Sequence, residues 1–221
     1  MNQTIDFLIL GGPVVWLLVI FSLAAMTFTL LKLWQFWVAR SRPPRRVSNA
    51  LQHLEDRETA QAMLLLNGQR DARSQVVVKV IELFNAGQLD FEQIKVESMR
   101  FARQQIAKLG MFLRPLEVIA TIAPLLGLFG TVLGMIDAFR AMEAAGAQVN
   151  PAVLSGGIWK ALLTTAAGLA VAIPVSLIHS WFERRVELEA SAIQDDLERL
   201  LTLEAQQSAA TTTVKSKPRQ A

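Results

Sequence analysis

Three stretches of this 221-residue chain run too long without a charged residue to belong to one small soluble core. Phe7 to Leu31 is 25 residues between Asp6 and Lys32, Val118 to Ile136 is 19 between Glu117 and Asp137, and Ala161 to Phe182 is 22 between Lys160 and Glu183. A hydrocarbon core of ~30 Å needs about 20 helical residues at ~1.5 Å each, so each stretch is long enough to cross a bilayer. Composition agrees. Hydrophobic residues make up 52% against 19% charged, with a mean hydropathy of +0.34. The expected fold class is an all-α membrane protein with three transmembrane helices, from which long helices extend into a cytoplasmic helical domain.

The residues before the first stretch, Met1 to Asp6, carry no Lys or Arg, and the apolar run is longer than a usual signal-peptide core. A retained anchor is therefore expected rather than a cleaved leader. Lys and Arg near the span ends give the orientation. Lys32, Arg40, Arg42, Arg45 and Arg46 follow the first span, Lys108 and Arg114 precede the second, and Arg184 and Arg185 follow the third. The opposite side has Arg140 with acidic Asp6 and Glu143. The expected layout is N-terminus out and C-terminus in. It has a periplasmic N-terminus at 1–12, transmembrane helices at 13–38, 113–142 and 153–182, and a periplasmic loop at 143–152. A cytoplasmic helical domain takes 39–112, a cytoplasmic helix 183–207, and a disordered tail 208–221.

Within 39–112, Arg42-Pro43-Pro44-Arg45-Arg46 reads as a turn, Ala50–Leu66 as a helix ending near Asn67-Gly68, and Ser74–Phe84 as a second. Asp90 is positioned to cap a third helix running through Ile94, Met99, Ile106 and Leu109. Arg100, Arg103 and Lys108 on that helix read as a solvated face near anionic headgroups, with no nucleic-acid partner. After the third span, Val186, Leu188, Ile193, Leu197, Leu200 and Leu201 offer a face to pack on the 90–112 helix.

Several chemistries lack their residues. With no Cys there is no disulfide framework or thiolate metal site, and His53 and His179 are far apart, so neither a metal nor another cofactor is expected. No phosphate loop, nucleophile elbow or paired-carboxylate pattern occurs in the parts outside the spans, so the chain is not expected to be an enzyme. The one foothold for a membrane-embedded enzyme is Glu117 level with His179, read here as a cytoplasmic-side hydrogen bond.

The second and third spans carry the informative residues. Gly127, Gly130 and Gly134 recur at helical spacing and permit close helix approach, and Pro124 and Pro174 mark kinks. With the hairpin turn centred between Gln148 and Val149, Thr131 falls level with Thr165, Pro124 with Pro174, and Asp137 with Lys160. A threonine hydroxyl in a helix can bond its own carbonyl four residues back. The matched pair among small residues also suits a polar layer lining an interior path, which oligomerisation would turn into a ring.

The stretch from about Leu113 to Glu187 resembles the family of ion-driven inner-membrane motor subunits that includes ExbB, TolQ and MotA. The motifs are Leu128-Phe129-Gly130-Thr131-Val132-Leu133-Gly134-Met135 and Ala161-Leu162-Leu163-Thr164-Thr165-Ala166-Ala167-Gly168-Leu169-Ala170-Val171-Ala172-Ile173-Pro174. The three-span, N-outside layout resembles ExbB and TolQ, whereas MotA-type subunits have four spans; among these the resemblance favours ExbB, with TolQ close behind. The resemblance implies a homopentamer in the bacterial inner membrane, its second and third spans lining a pore. That pore would hold a dimer of an ExbD-like single-span protein, whose Asp residues carry protons, and the work would pass to a TonB-like protein that opens outer-membrane receptors. Thr131 and Thr165, with Thr164 beside them, would contact the partner's Asp.

One residue departs from that pattern. Lys160 stands where ExbB and TolQ proteins usually carry Glu. A Lys deep in lipid costs about 2.5–3.5 kcal/mol on insertion scales. At ~10 Å inside the outer boundary, its stem lets it partly snorkel. Three readings stay open: an ion pair with Asp137, a pore-facing ammonium that attracts the partner's Asp, and a charge reversal that impairs ion passage. A rival from another class is a non-conducting membrane scaffold that recruits proteins through 39–112.

Overall fold

In the computed structural model of the protein, residues 12–40, 45–69, 71–145 and 151–215 are described, and among them every regular element is an α-helix. The helices are α1 (Gly12–Arg40), α2 (Arg45–Glu55), α3 (Thr59–Leu66), α4 (Ala72–Ala86), α5 (Phe91–Leu109), α6 (Leu113–Ala145) and α7 (Pro151–Lys215). Three of them, α1, α6 and α7, are long and apolar enough to cross a membrane. The Pro43-Pro44 turn, residues 146–150 of the 143–152 loop and residues 1–11 lie outside the described residues. The chain forms two compact units.

The first unit comprises α1 through Trp34 together with Phe112–Glu183. Its outer surface is apolar: Trp16, Ile20, Leu23 and Met26 on α1, Leu125, Phe129 and Val132 on α6, and Trp159, Ile173 and Leu177 on α7 are all exposed. Inside, Val14 and Leu18 of α1 join Ala123 of α6 and Ala172 of α7, with Leu126, Leu133, Ala167 and Val171 packed around them. Lys32, which the sequence reading counts among the boundary charges, is fully buried in this fold. Phe112 enters α6 with φ +68° and stacks on Phe28, their ring centroids 6.0 Å apart.

The second unit holds α2 to α5 with the part of α7 from Arg184 onward. Its core joins Val47, Leu51 and Leu54 of α2, Ala62 and Leu66 of α3, and Val76, Val77, Val80 and Ile81 of α4. Ala102 of α5 and Ile193, Leu197, Leu200 and Leu201 of α7 complete it. The α7 face therefore packs on a four-helix cluster rather than on α5 alone, while Leu188 stays exposed.

The expected 50–66 helix is two helices. Arg57 adopts φ +63°, and the bonds Arg57 N–H to Leu54 O (3.1 Å) and Glu58 N–H to His53 O (2.7 Å) close a Schellman turn after α2. Such a turn usually carries Gly, so the sequence hides it. Asp90 caps α5 as expected: it accepts from the Gln93 amide at 2.7 Å while the Gln93 side chain accepts from the Asp90 amide at 3.2 Å.

Arg73 of α4 holds Asp196 of α7 through two bonds, 2.7 and 3.0 Å, with side chains only 19% and 11% exposed. The bond to Asp196 raises the Arg73 pKa further above its ordinary value, and Asp196, Glu189 and Asp71 add coulombic support. Helix α7 continues through Lys215, into the expected disordered tail. No Gly or Pro interrupts the chain between Leu201 and Lys215, so nothing local stops the helix within that stretch.

Candidate ion-path site

The site begins with how closely α6 and α7 approach each other. Ala123, Gly127, Gly130, Gly134 and Ala138 are buried along one line of α6, and Ala161, Thr164 and Ala172 along one line of α7. A methyl added at Gly168 would lie 2.7 Å from the Ala123 carbonyl oxygen and 2.9 Å from the Gly127 Cα. At Gly127 it would meet the Thr164 carbonyl oxygen at 3.1 Å, and at Gly134 the Ala161 Cβ at 3.1 Å. Gly130 faces the Thr164 methyl, and Gly157 faces Ala138. The pairing of Gly134 with Ala161 and Gly157 with Ala138 puts the register about two residues, or ~3 Å, from the one set by a turn centred at Gln148–Val149.

This seam divides the hairpin into two flanks, since each residue turns about 100° from the last. Leu126, Leu133, Ala167 and Val171 each precede a seam position by one, and these are the residues packed around Val14 and Leu18 of α1. Thr131 and Thr165 each follow a seam position by one. They share the opposite flank, which α1 leaves uncovered. Both are half-buried, with exposed Leu128, Leu162 and Leu169 beside them.

The three threonines have different surroundings. Thr164 is buried in the seam, and its hydroxyl donates to the Lys160 carbonyl at 2.9 Å. Thr131 donates to the Leu128 carbonyl on its own helix at 2.6 Å. Thr165 instead donates across the hairpin to the Gly127 carbonyl at 3.2 Å. Helix-internal bonding thus accounts for Thr131 and Thr164, whereas Thr165 ties the two spans together.

The charged residues fall elsewhere. Asp137 and Lys160 each precede a seam position, so they lie on the α1-side flank rather than with Thr131 and Thr165. Among the described residues no Lys160–Asp137 approach within 4.0 Å occurs: both point off the contact line, Asp137 exposed and Lys160 half-buried. Pro124 turns toward the threonine flank and Pro174 away from it. Each lacks an N–H, so the Ala120 and Ala170 carbonyls lose their helical donors. His179 lies 4.0 Å from Glu183 of its own helix rather than bonding Glu117. Among the described residues no group of His, Asp and Glu is arranged to hold a metal.

Sequence reasoning selected three glycines of α6 but passed over Gly157 and Gly168, their counterparts on α7. The signal was present: Gly157, Ala161, Thr164, Gly168 and Ala172 recur every three or four residues. It was obscured because Ala and Gly occupy other faces of the same helix too.

Residues 69–195 match the model of the MotA/TolQ/ExbB proton channel family. A biopolymer transport protein exbB1 of Vibrio cholerae is 45% identical over 76 residues, 33% of this chain and 33% of its own length. The biopolymer transport protein ExbB of Salmonella typhimurium is 33% identical over 123 residues, 54% of this chain and 50% of its own. The Tol-Pal system protein TolQ of Haemophilus influenzae is 38% identical over 81 residues, covering 37% and 33%. The matches thus span from a third to about half the length of these relatives. The family match covers more than half of the chain and contains α6 and the part of α7 in the first unit, with the glycine seam and both flanking threonines; the chain belongs to the MotA/TolQ/ExbB proton channel family.

Proposed function

We propose that the chain is an ExbB-like, pore-forming subunit of a proton-driven motor in the bacterial inner membrane, with its N-terminus outside. Several copies, five on the family pattern, enclose a passage with their second and third spans. An ExbD-like dimer occupies that passage, and a TonB-like protein takes up the work to energise outer-membrane receptors. A TolQ-like role in the Tol-Pal envelope system is the second reading, favoured by the similarity to TolQ over 81 residues.

The observation that carries the proposal is the flank shared by Thr131 and Thr165. Helix α1 covers the other side of the hairpin, so this side is the one left for a passage. Hydroxyls on an otherwise apolar flank suit an acid arriving on another helix better than they suit acyl chains. Lys160 and Asp137, on the α1-side flank, lie nearer the outer end of the hairpin and outside this wall of the passage. The small residues Gly127, Gly130 and Gly134, with Pro124 and Pro174, set the spacing and bend of the walls.

The test is proton uptake by liposomes holding the subunit with its single-span partner. Thr131→Ala and Thr165→Ala are expected to cut flux about tenfold or more while the complex stays assembled. Unchanged flux in assembled complexes overturns the motor reading and leaves a scaffold.

A further inference from the structure

The direction of the threonine hydrogen bonds carries a consequence for which form of an acid the flank accepts. A carbonyl oxygen has no proton to give, so each contact to one consumes the hydroxyl's own proton. Thr131 spends its proton on the Leu128 carbonyl at 2.6 Å, and Thr165 spends its on the Gly127 carbonyl at 3.2 Å. What remains on both oxygens is lone pairs. The same flank is otherwise lined by Leu128, Leu162 and Leu169. No titratable residue lies between Gly12 and Lys32 on α1, between Glu117 and Asp137 on α6, or between Lys160 and His179 on α7. The nearest charges along the chain, Lys160 and Asp137, turn to the α1-side flank.

We infer that Thr131 and Thr165 form an acceptor site that selects the protonated, neutral form of a carboxylic acid over its carboxylate. This rests on the reading of the flank as the place where a partner helix brings an acid. A protonated carboxyl has one O–H to donate and finds a waiting lone pair. A carboxylate is acceptor-only and meets two more acceptors in apolar surroundings, which costs both forms of compensation at once. To serve a carboxylate, the hydroxyls must rotate off the Leu128 and Gly127 carbonyls. The carboxyl keeps its proton while the threonines hold it, and gives that proton to water only after leaving them. The threonines hold the loaded carrier, and ionisation ends their grip.

The preference also assigns separate parts to the two residues. Thr165 lies on α7 but bonds α6, so its lone pairs are fixed relative to both walls. Thr131 bonds its own helix and follows α6 alone. Thr165 is therefore the positioning member of the pair.

The probe is a synthetic leucine-rich transmembrane peptide with one central aspartate, alongside a peptide with leucine at that place. Binding to the full-length protein in lipid nanodiscs is measured by fluorescence from pH 5 to pH 9, for wild type, Thr165→Val and Thr165→Ser. The expected wild-type advantage over Thr165→Val for the aspartate peptide is about five- to tenfold at acidic pH. It falls toward one as the acid ionises, Thr165→Ser keeps most of it, and the leucine peptide shows none. An advantage that grows with rising pH means that the hydroxyls donate to a carboxylate, and it overturns the inference. Equal binding to wild type and Thr165→Val at every pH overturns it as well. If neither peptide binds at any pH, the failure lies with the flank as a partner site.

Discussion

Replacing Gly168 by Ala tests the seam on which the site is built. The added methyl would stand 2.7 Å from the Ala123 carbonyl oxygen and 2.9 Å from the Gly127 Cα, and both neighbours are backbone that cannot swing aside. Restoring an ordinary contact of 3.4 Å requires the helices to part by about 0.7 Å. Overpacking of this kind costs about 1–3 kcal/mol. The same movement stretches the 3.2 Å Thr165–Gly127 bond beyond hydrogen-bonding range, a further ~0.6 kcal/mol for a polar contact within a membrane. At ~2–4 °C per kcal/mol, the melting midpoint should fall by about 3–14 °C. Tryptophan fluorescence during heating in mild detergent reads it. Gly156→Ala is the control, since a methyl there meets nothing within 4 Å and should be neutral or raise the midpoint slightly. A Gly168→Ala protein melting within about 1 °C of wild type would refute the close-approach reasoning.

Other substitutions probe separate parts of the account. Gly130→Ala should destabilise by about 1–3 kcal/mol against the Thr164 methyl, and Thr164→Ser should recover part of that loss, a coupling that a double-mutant cycle in thermal melts will expose. Asp196→Ala leaves the largely buried Arg73 guanidinium unpaired and should cost about 3 kcal/mol, whereas Arg100→Ala, breaking an exposed pair, should leave the denaturation midpoint unchanged. Asp90→Ala removes the α5 capping box and should cost about 1 kcal/mol, measured by the same melts.

The three spans were legible because a bilayer imposes a length and a charge rule that no tertiary contact can override. Thr131, Thr165 and the α6 glycines were legible because small and hydroxylated residues stand out among Leu, Val and Ile. The direction of the Thr165 bond was not, since own-helix and cross-hairpin acceptors leave the same mark in a sequence. The hairpin arithmetic put Lys160 level with Asp137, but the glycine seam shifts the register by about two residues, ~3 Å, and depth fixes only one coordinate. Rotation about each helix, set by the glycine seam, puts them on the other flank. The break at Arg57 escaped because a non-glycine residue took a left-handed turn. The Arg73–Asp196 clasp spans 123 positions, and each residue alone reads as an ordinary charge on a solvated helix.

The central claim is that the threonine flank faces the interior of the assembly and the apolar face of α1 faces lipid. The chain has no cysteine, so single cysteines can be placed without background. Positions 131 and 165, compared with positions 20 and 23 on α1, are to be treated with a small charged thiol reagent in the assembled protein in lipid. Rapid modification at 131 and 165 with protection at 20 and 23 is the predicted result. Protection at 131 and 165 equal to that at 20 and 23 would contradict it, because hydroxyls buried in acyl chains can serve no proton carrier.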